Sequence, residues 1–206
     1  MERLLACGGD GTATEAASAL AGSEVALAVL PGGTGNLLAL NLGIPSDPEA
    51  ALRLALTGEP RPLDVGRANG AVFLIMAGMG LDAHMVHDAD RHAKERLGAL
   101  AYVVAALRNL GRPPTRYAIT IDGRLFYRRA RTVLLANVGR ITGGLELVPG
   151  ADPEDGVLDV AILRARGLWD LAVLAAGALV GRTPASRSAN GDPLLEVHRG
   201  RQILIE

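Results

Sequence analysis

RLLACGGDGTATEAASALAGSEVALAVLPGGTGN, residues 3–36, holds two short apolar runs that each stop at glycines. Arg3–Cys7 ends in Gly8-Gly9, as a strand ends at a turn. Thr12–Leu20 is rich in alanine and reads as a helix. Val25–Leu30 is a second buried strand, stopped by Pro31-Gly32-Gly33. Thr34–Leu42 reads as the next helix, ended by Gly43 and Pro45. Asp47 can cap a third helix through Leu56, with Pro48 at its first position. Such strand–helix alternation implies a parallel sheet of the nucleotide-binding type.

The two turns carry the chemistry. In Gly8-Gly9-Asp10-Gly11-Thr12 the glycines let backbone N–H groups approach a polyphosphate, and the following helix adds its dipole. Asp10 would repel phosphate, so it makes sense as a Mg²⁺ holder or as the group that orients a reacting hydroxyl. The bland alternative is a tight turn without a ligand. Pro31-Gly32-Gly33-Thr34-Gly35-Asn36 repeats the arrangement after the next strand. Two such turns at the C-terminal ends of neighbouring parallel strands share the edge where open α/β sheets bind ligands. For Asn36 the bland alternative is a helix cap.

Beyond Gly58-Glu59-Pro60-Arg61-Pro62 the pattern changes. Extended runs at 61–67 and 71–77 flank Asn69-Gly70, a hairpin signal. Asp82–Leu110 reads as a helical insertion. Strands follow at Arg116–Asp122, Leu125–Val138 and Val157–Leu163, then a helix over 167–180 and closing strands at Leu194–Val197 and Gln202–Ile205. The expected fold is an α/β nucleotide-binding unit, residues 1–60, with a partial parallel sheet, followed by a mainly antiparallel β-sandwich unit, residues 61–206.

Lys plus Arg total 21 against 22 Asp plus Glu, a net charge of −1, so no global field draws nucleic acid or anionic lipid to the chain. Cys7 is the only cysteine, which excludes an intrachain disulfide and makes a cytoplasmic setting the expectation. It reads as a small buried apolar residue. The most apolar helix candidate is interrupted by Asp170 and falls short of the roughly 20 residues that a transmembrane segment needs.

The motifs around Gly8–Thr12, Pro31–Ala39 and Leu42-Gly43-Ile44-Pro45 resemble the catalytic domain of the diacylglycerol kinase family, which includes bacterial lipid kinases and sphingosine kinases. The resemblance continues through Asp64-Val65-Gly66, Ala77–Asp82, Leu97–Tyr102, Asn137, Gly143-Gly144 and Pro149–Val160. It implies an ATP-dependent lipid kinase with its active site between the two units. Gly8, Gly9, Asp10, Gly11, Thr12, Ala13 and Thr14 would form the ATP phosphate loop, and Thr34 and Asn36 would join the nucleotide site. Asp10 would act in metal binding or phosphoryl transfer, and Asp64 with Lys94 would be a charged pair supporting the cleft. Asp152, Asp155 and the Val157 carbonyl would hold Mg²⁺, a hard-oxygen set suited to it; a plain acidic turn is the alternative.

The implied partner is a lipid at the inner membrane surface, reached by a peripheral protein, with homodimer formation left open. Two other readings stay open: a non-catalytic homologue that binds nucleotide without turnover, and an enzyme like an NAD kinase. Thr14 stands where many members carry Asn, and Leu37 where many carry Asp. The resemblance also implies that the chain lacks the family's first strand and its closing Asp-Gly-Glu turn. Asn190-Gly191-Asp192 reads as a surface turn, and His84, His87, His92 and His198 as polar surface residues.

Overall fold

The computed structural model describes residues 2–80, 114–141, 146–164, 168–179, 187, 191 and 193–206. The expected Asp82–Leu110 helix, with Lys94, His84, His87 and His92, lies outside them, as do Gly143, Gly144, Asn190 and Asp192.

The first unit is built around β1 (Arg3–Gly8) and β2 (Ala26–Pro31), which pair in parallel with Cys7 opposite Leu30. Helices α1 (Asp10–Leu20), α2 (Leu37–Leu42) and α3 (Pro48–Thr57) follow. Asp47 caps α3 as expected: its carboxylate accepts the Ala50 N–H at 2.8 Å, and Pro48 opens the helix. At the other end of α3, the Arg3 guanidinium donates to the carbonyls of Ala55 and Gly58, where a cation suits the helix dipole. Ala13, Ala17, Val29, Leu38 and Leu74 form the buried core, and Leu63, Val65 and Ile75 pack against it. The chain beyond residue 61 therefore still contributes to the α/β core. It does so around the hairpin β3 (Gly66–Ala68) and β4 (Ala71–Phe73), whose turn places Asn69 and Gly70 at φ 50° and 84°.

The second unit is a sandwich of two antiparallel sheets. One has the order β10-β9-β8-β5, from β5 (Met76–Gly80), β8 (Thr132–Ala136), β9 (Leu158–Leu163) and β10 (Leu195–Gly200). The other has the order β11-β6-β7, from β6 (Thr115–Ile121), β7 (Arg124–Ala130) and β11 (Ile203–Ile205). Tyr117, Ile119, Ile121, Ala130, Val133, Val160 and Ile162 fill the space between the sheets. Leu134, Ala136, Ala161 and Leu195 point the other way, against Leu174 of α4 (Leu168–Leu179) and Val148. Alternate residues of β8 thus face two different cores, which is why it reads as an unbroken apolar run.

Several expectations change. The single strand expected over Leu125–Val138 is two strands in different sheets. The chain changes sheet at Arg131, whose N–H donates to the Leu163 carbonyl at 3.0 Å. Both neighbours, Ala130 and Thr132, are buried, so no alternation marks the break. Helix α1 starts at Asp10 rather than Thr12, and α2 at Leu37 rather than Thr34. Cys7 is exposed rather than buried. His198 is half-buried against the Phe126 ring, 4.8 Å between centroids, rather than free on the surface.

A charged cluster joins the two sheets at one edge. Arg128 of β7 grips the Glu196 carboxylate of β10 through Nε and Nη2, and His198 approaches the same carboxylate at 2.7 Å. The Arg128 hydrogen bonds hold Glu196 below the usual glutamate range, against the opposing effect of burial. A lowered carboxylate stabilises the fold above its unfolded pKa, and the contribution is lost as pH falls through the folded value. Arg128→Ala is therefore expected to cost about 1–3 kcal/mol at neutral pH. Urea denaturation should show this gap closing as pH drops below the ordinary glutamate range. A gap that persists unchanged into that range would mean the ion pair is not its source.

Candidate active site

The two glycine turns lie against each other. The Gly32 N–H donates to the Gly8 carbonyl at 2.8 Å, carrying the β1–β2 ladder past the strand ends. A Cβ on Gly33 would stand 2.5 Å from the Gly9 Cα, and one on Gly32 3.5 Å from the Gly8 Cα. The turns thus touch backbone to backbone, which side chains would prevent. Asp10, the first residue of α1, completes the contact: its Oδ1 accepts the Leu38 N–H of α2 at 3.0 Å. A Cβ on Gly35 would lie 3.2 Å from Asp10 Oδ2, so the second turn also hugs the carboxylate.

Asn36 shapes the second turn from within. Its Oδ1 accepts the Gly33 N–H at 2.9 Å and its Nδ2 donates to the Gly33 carbonyl at 2.7 Å. It sits at φ 48°, the left-handed region that Asn tolerates, and makes no side-chain cap to α2. Asn36 is therefore a turn-closing residue rather than the capping residue of the bland alternative.

The first turn leaves donors open. By helix geometry the N–H groups of Asp10, Gly11 and Thr12 have no intrahelical acceptor, and the helix dipole favours an anion before them. A Cβ on Gly11 would meet nothing within 4 Å, so packing does not explain a glycine that costs helix stability. Thr12 and Thr34 are exposed. Ala13 points into the core at 2% exposure, and the Thr14 hydroxyl donates to the Asp10 carbonyl at 2.8 Å, so both support the helix.

Asp64 belongs to a second cluster. Its N–H donates to the Pro153 carbonyl at 2.7 Å, and its Oδ2 accepts the Gly156 N–H at 2.5 Å. Asp64 thereby fastens the α/β unit to the Asp152–Val157 turn, helped by the Arg61–Glu154 ion pair at 3.1 Å. In that turn Asp152 accepts the Glu154 N–H and Asp155 accepts the Val157 N–H. Arg199 of β10 pairs with Asp155 and, at 3.4 Å, with Asp159. Burial pushes the Asp159 carboxyl above the usual range, with Arg199 opposing and Asp155 adding. Among the described residues no three His, Cys, Asp or Glu are grouped to hold a metal ion. Arg199 thus pairs with one of the two carboxylates, Asp152 and Asp155, that with the Val157 carbonyl are expected to hold Mg²⁺.

Three further residues at the junction carried weaker signals in the sequence. Asn137, at the end of β8, is 1% exposed and donates through Nδ2 to the carbonyls of Asp64 and Leu74, while its Oδ1 has no partner. Asn41, the one polar side chain of α2, grips the backbone of Arg140 from the sandwich side, accepting its N–H and donating to its carbonyl, both at 2.9 Å. Asn41 lies about 4.5 Å further along the helix than Leu38, which binds Asp10. The Arg140 backbone is thereby fixed within about one helical turn of the glycine turns, and its guanidinium is exposed.

The chain thus combines a parallel α/β unit that presents docked glycine turns with an antiparallel sandwich. The chain matches the diacylglycerol kinase catalytic domain over residues 1–68 and the YegS C-terminal NAD kinase beta sandwich-like domain over residues 75–206. It therefore belongs to the family of diacylglycerol kinases and YegS-like lipid kinases. It is similar to a diacylglycerol kinase of Bacillus subtilis (strain 168), 34% identical over 182 residues, covering 86% of this chain and 60% of that one. It is 38% identical over 170 residues to a "Probable lipid kinase YegS-like" of Pseudomonas aeruginosa PAO1, covering 78% and 54%. A crystal structure of a diacylglycerol kinase from Bacillus anthracis str. Sterne superposes with a TM-score of 0.72 at 26% identity, covering 100% of this chain and 66% of that one. The chain thus spans 60% and 54% of the length of these two curated relatives.

Two glycines should respond in opposite ways. Gly33→Ala forces a Cβ into the Gly9 backbone and is expected to cost about 1–3 kcal/mol. Gly11→Ala meets open space and should be neutral or gain up to about 1 kcal/mol, while weakening anion binding at α1. Urea denaturation with a parallel ATP titration checks both; equal stability effects at the two positions would contradict the docking of the turns.

Proposed function

We propose that this chain is the greater part of an ATP-dependent lipid kinase that moves the γ-phosphate of ATP onto a lipid hydroxyl, such as that of diacylglycerol. The observation that carries the reading is the docked pair of turns. They offer open N–H groups at the start of α1 and hold Asp10 at their centre. Phosphoryl transfer needs positioning and charge neutralisation more than covalent chemistry. The Asp10–Thr12 N–H groups would receive the phosphates, with exposed Thr12 and Thr34 beside them. Asp10 Oδ2, which has no hydrogen bond among the described residues, is the hard oxygen available to a Mg²⁺ that arrives with ATP, or to the acceptor's proton. When bound, Mg²⁺ would offset the charge on the phosphates. Arg140, held by Asn41, would add positive charge from the sandwich side.

The lipid oxygen forms the new bond to the γ-phosphorus, the bond to the bridging oxygen breaks, and ADP leaves. The hydroxyl proton passes to a carboxylate. No described helix is long and apolar enough to cross a membrane. The proposed setting is the cytoplasmic side of the inner membrane, visited from solution.

Calorimetry with ATP and Mg²⁺, followed by labelled-phosphate transfer to diacylglycerol and to NAD, tests the reading. Nucleotide binding and a labelled lipid are expected, with Asp10→Asn lowering turnover by about 10²-fold or more. Better labelling of NAD, or a folded chain that binds no ATP, would overturn it. Binding without transfer would favour a non-catalytic homologue.

A further inference from the structure

The outward face of the β11-β6-β7 sheet carries an arrangement that folding alone does not favour. Arg116 and Arg129 stand directly opposite each other across β6 and β7. Like charges in that position repel. Neither has a carboxylate partner among the described residues; Arg116 lies over the Tyr127 ring, 4.9 Å from its centre. Leu204, Thr120 and Leu125 form a row across all three strands of the same sheet. Leu125 and Leu204 are each 56% exposed and Tyr127 53%. Glu206 is the one carboxylate on this face among the described residues, at its edge opposite Ala118.

From these observations we infer that this face docks the protein on an anionic lipid bilayer. The two leucines would enter the headgroup boundary, Tyr127 would lie at the interface with its ring in apolar and its hydroxyl in polar surroundings, and Arg116 and Arg129 would meet lipid phosphates. The unfavourable arginine pair is then relieved by the anions it binds. A second copy of the chain is the poorer occupant. A two-fold contact sets the same patch against itself, so it would face arginines with arginines. Nucleic acid would satisfy the arginines and leave Leu125 and Leu204 without apolar partners. The inference deepens the lipid-kinase reading by giving its membrane contact a location, but vesicle binding is measurable whether or not the chain turns over.

The test is flotation of the 206-residue chain with vesicles of phosphatidylcholine alone and with phosphatidylglycerol added. Binding to the mixed vesicles is expected, little to the neutral ones, and less as salt rises. The double variants Leu125→Glu/Leu204→Glu and Arg116→Gln/Arg129→Gln should each bind at least about tenfold more weakly, with unchanged thermal unfolding. Their transfer of phosphate to a short-chain, water-soluble diacylglycerol should match the parent chain. A parent chain that floats with neither vesicle overturns the inference, as do variants that bind like the parent. So does a parent dimer that the leucine variant dissolves, which would assign the face to a second copy. Failure of the parent chain to phosphorylate the soluble acceptor would count against the kinase reading alone, because vesicle binding still decides the docking face.

Discussion

The hydrogen bond from the Leu38 N–H to Asp10 is the constraint on which the α/β unit turns. It ties the start of α1 to the start of α2, and so sets two separate glycine turns at one fixed distance. Leu38 is among the most buried side chains of the unit, packed with Ala13 and Ala17 of α1. The polar tie and the apolar core therefore hold the same two helices from opposite sides. A carboxylate placed here also neutralises nothing else in the described surroundings, leaving Oδ2 available at the mouth of the site. One oxygen of Asp10 thus serves folding, and the other makes no hydrogen bond among the described residues.

The two units are joined mainly by side-chain-to-backbone hydrogen bonds. Asn41 holds Arg140, Asn137 holds Asp64 and Leu74, and Asp64 holds Gly156. Such bonds fix orientation closely, because each needs its donor and acceptor aligned. The unpartnered Oδ1 of Asn137 stands out among them: both N–H groups of its amide face carbonyls, so the oxygen cannot be exchanged for nitrogen without losing two bonds.

Much of this was legible in the sequence. The turns Gly8–Thr12 and Pro31–Asn36 announced the parallel unit, and the Asp47-Pro48 start of α3 was readable to the residue, because caps and glycines act locally. The break at Arg131 was not legible. A strand that changes sheets is buried on both sides of the change, and apolar alternation carries no mark of it. Helix starts moved by two or three residues where side chains reshaped the turn, as Asn36 does. Arg199 could not be foreseen beside Asp155, because that pairing depends on the antiparallel register of β9 and β10. Exposure of Cys7 likewise depends on which elements flank β1.

The glycines of the two turns also differ in how mutation could reach them. A Cβ on Gly8 would collide with the Thr12 Oγ1 at 2.5 Å and the Thr12 Cβ at 2.8 Å, a conflict that glycine at position 12 would relieve. A Cβ on Gly33 meets the Gly9 backbone, which every amino acid possesses. Compensating exchange of a partner residue is therefore open to the first glycine and closed to the second. Under random mutation and selection, position 8 could drift in company with position 12, whereas position 33 has no accomplice and must stay as it is.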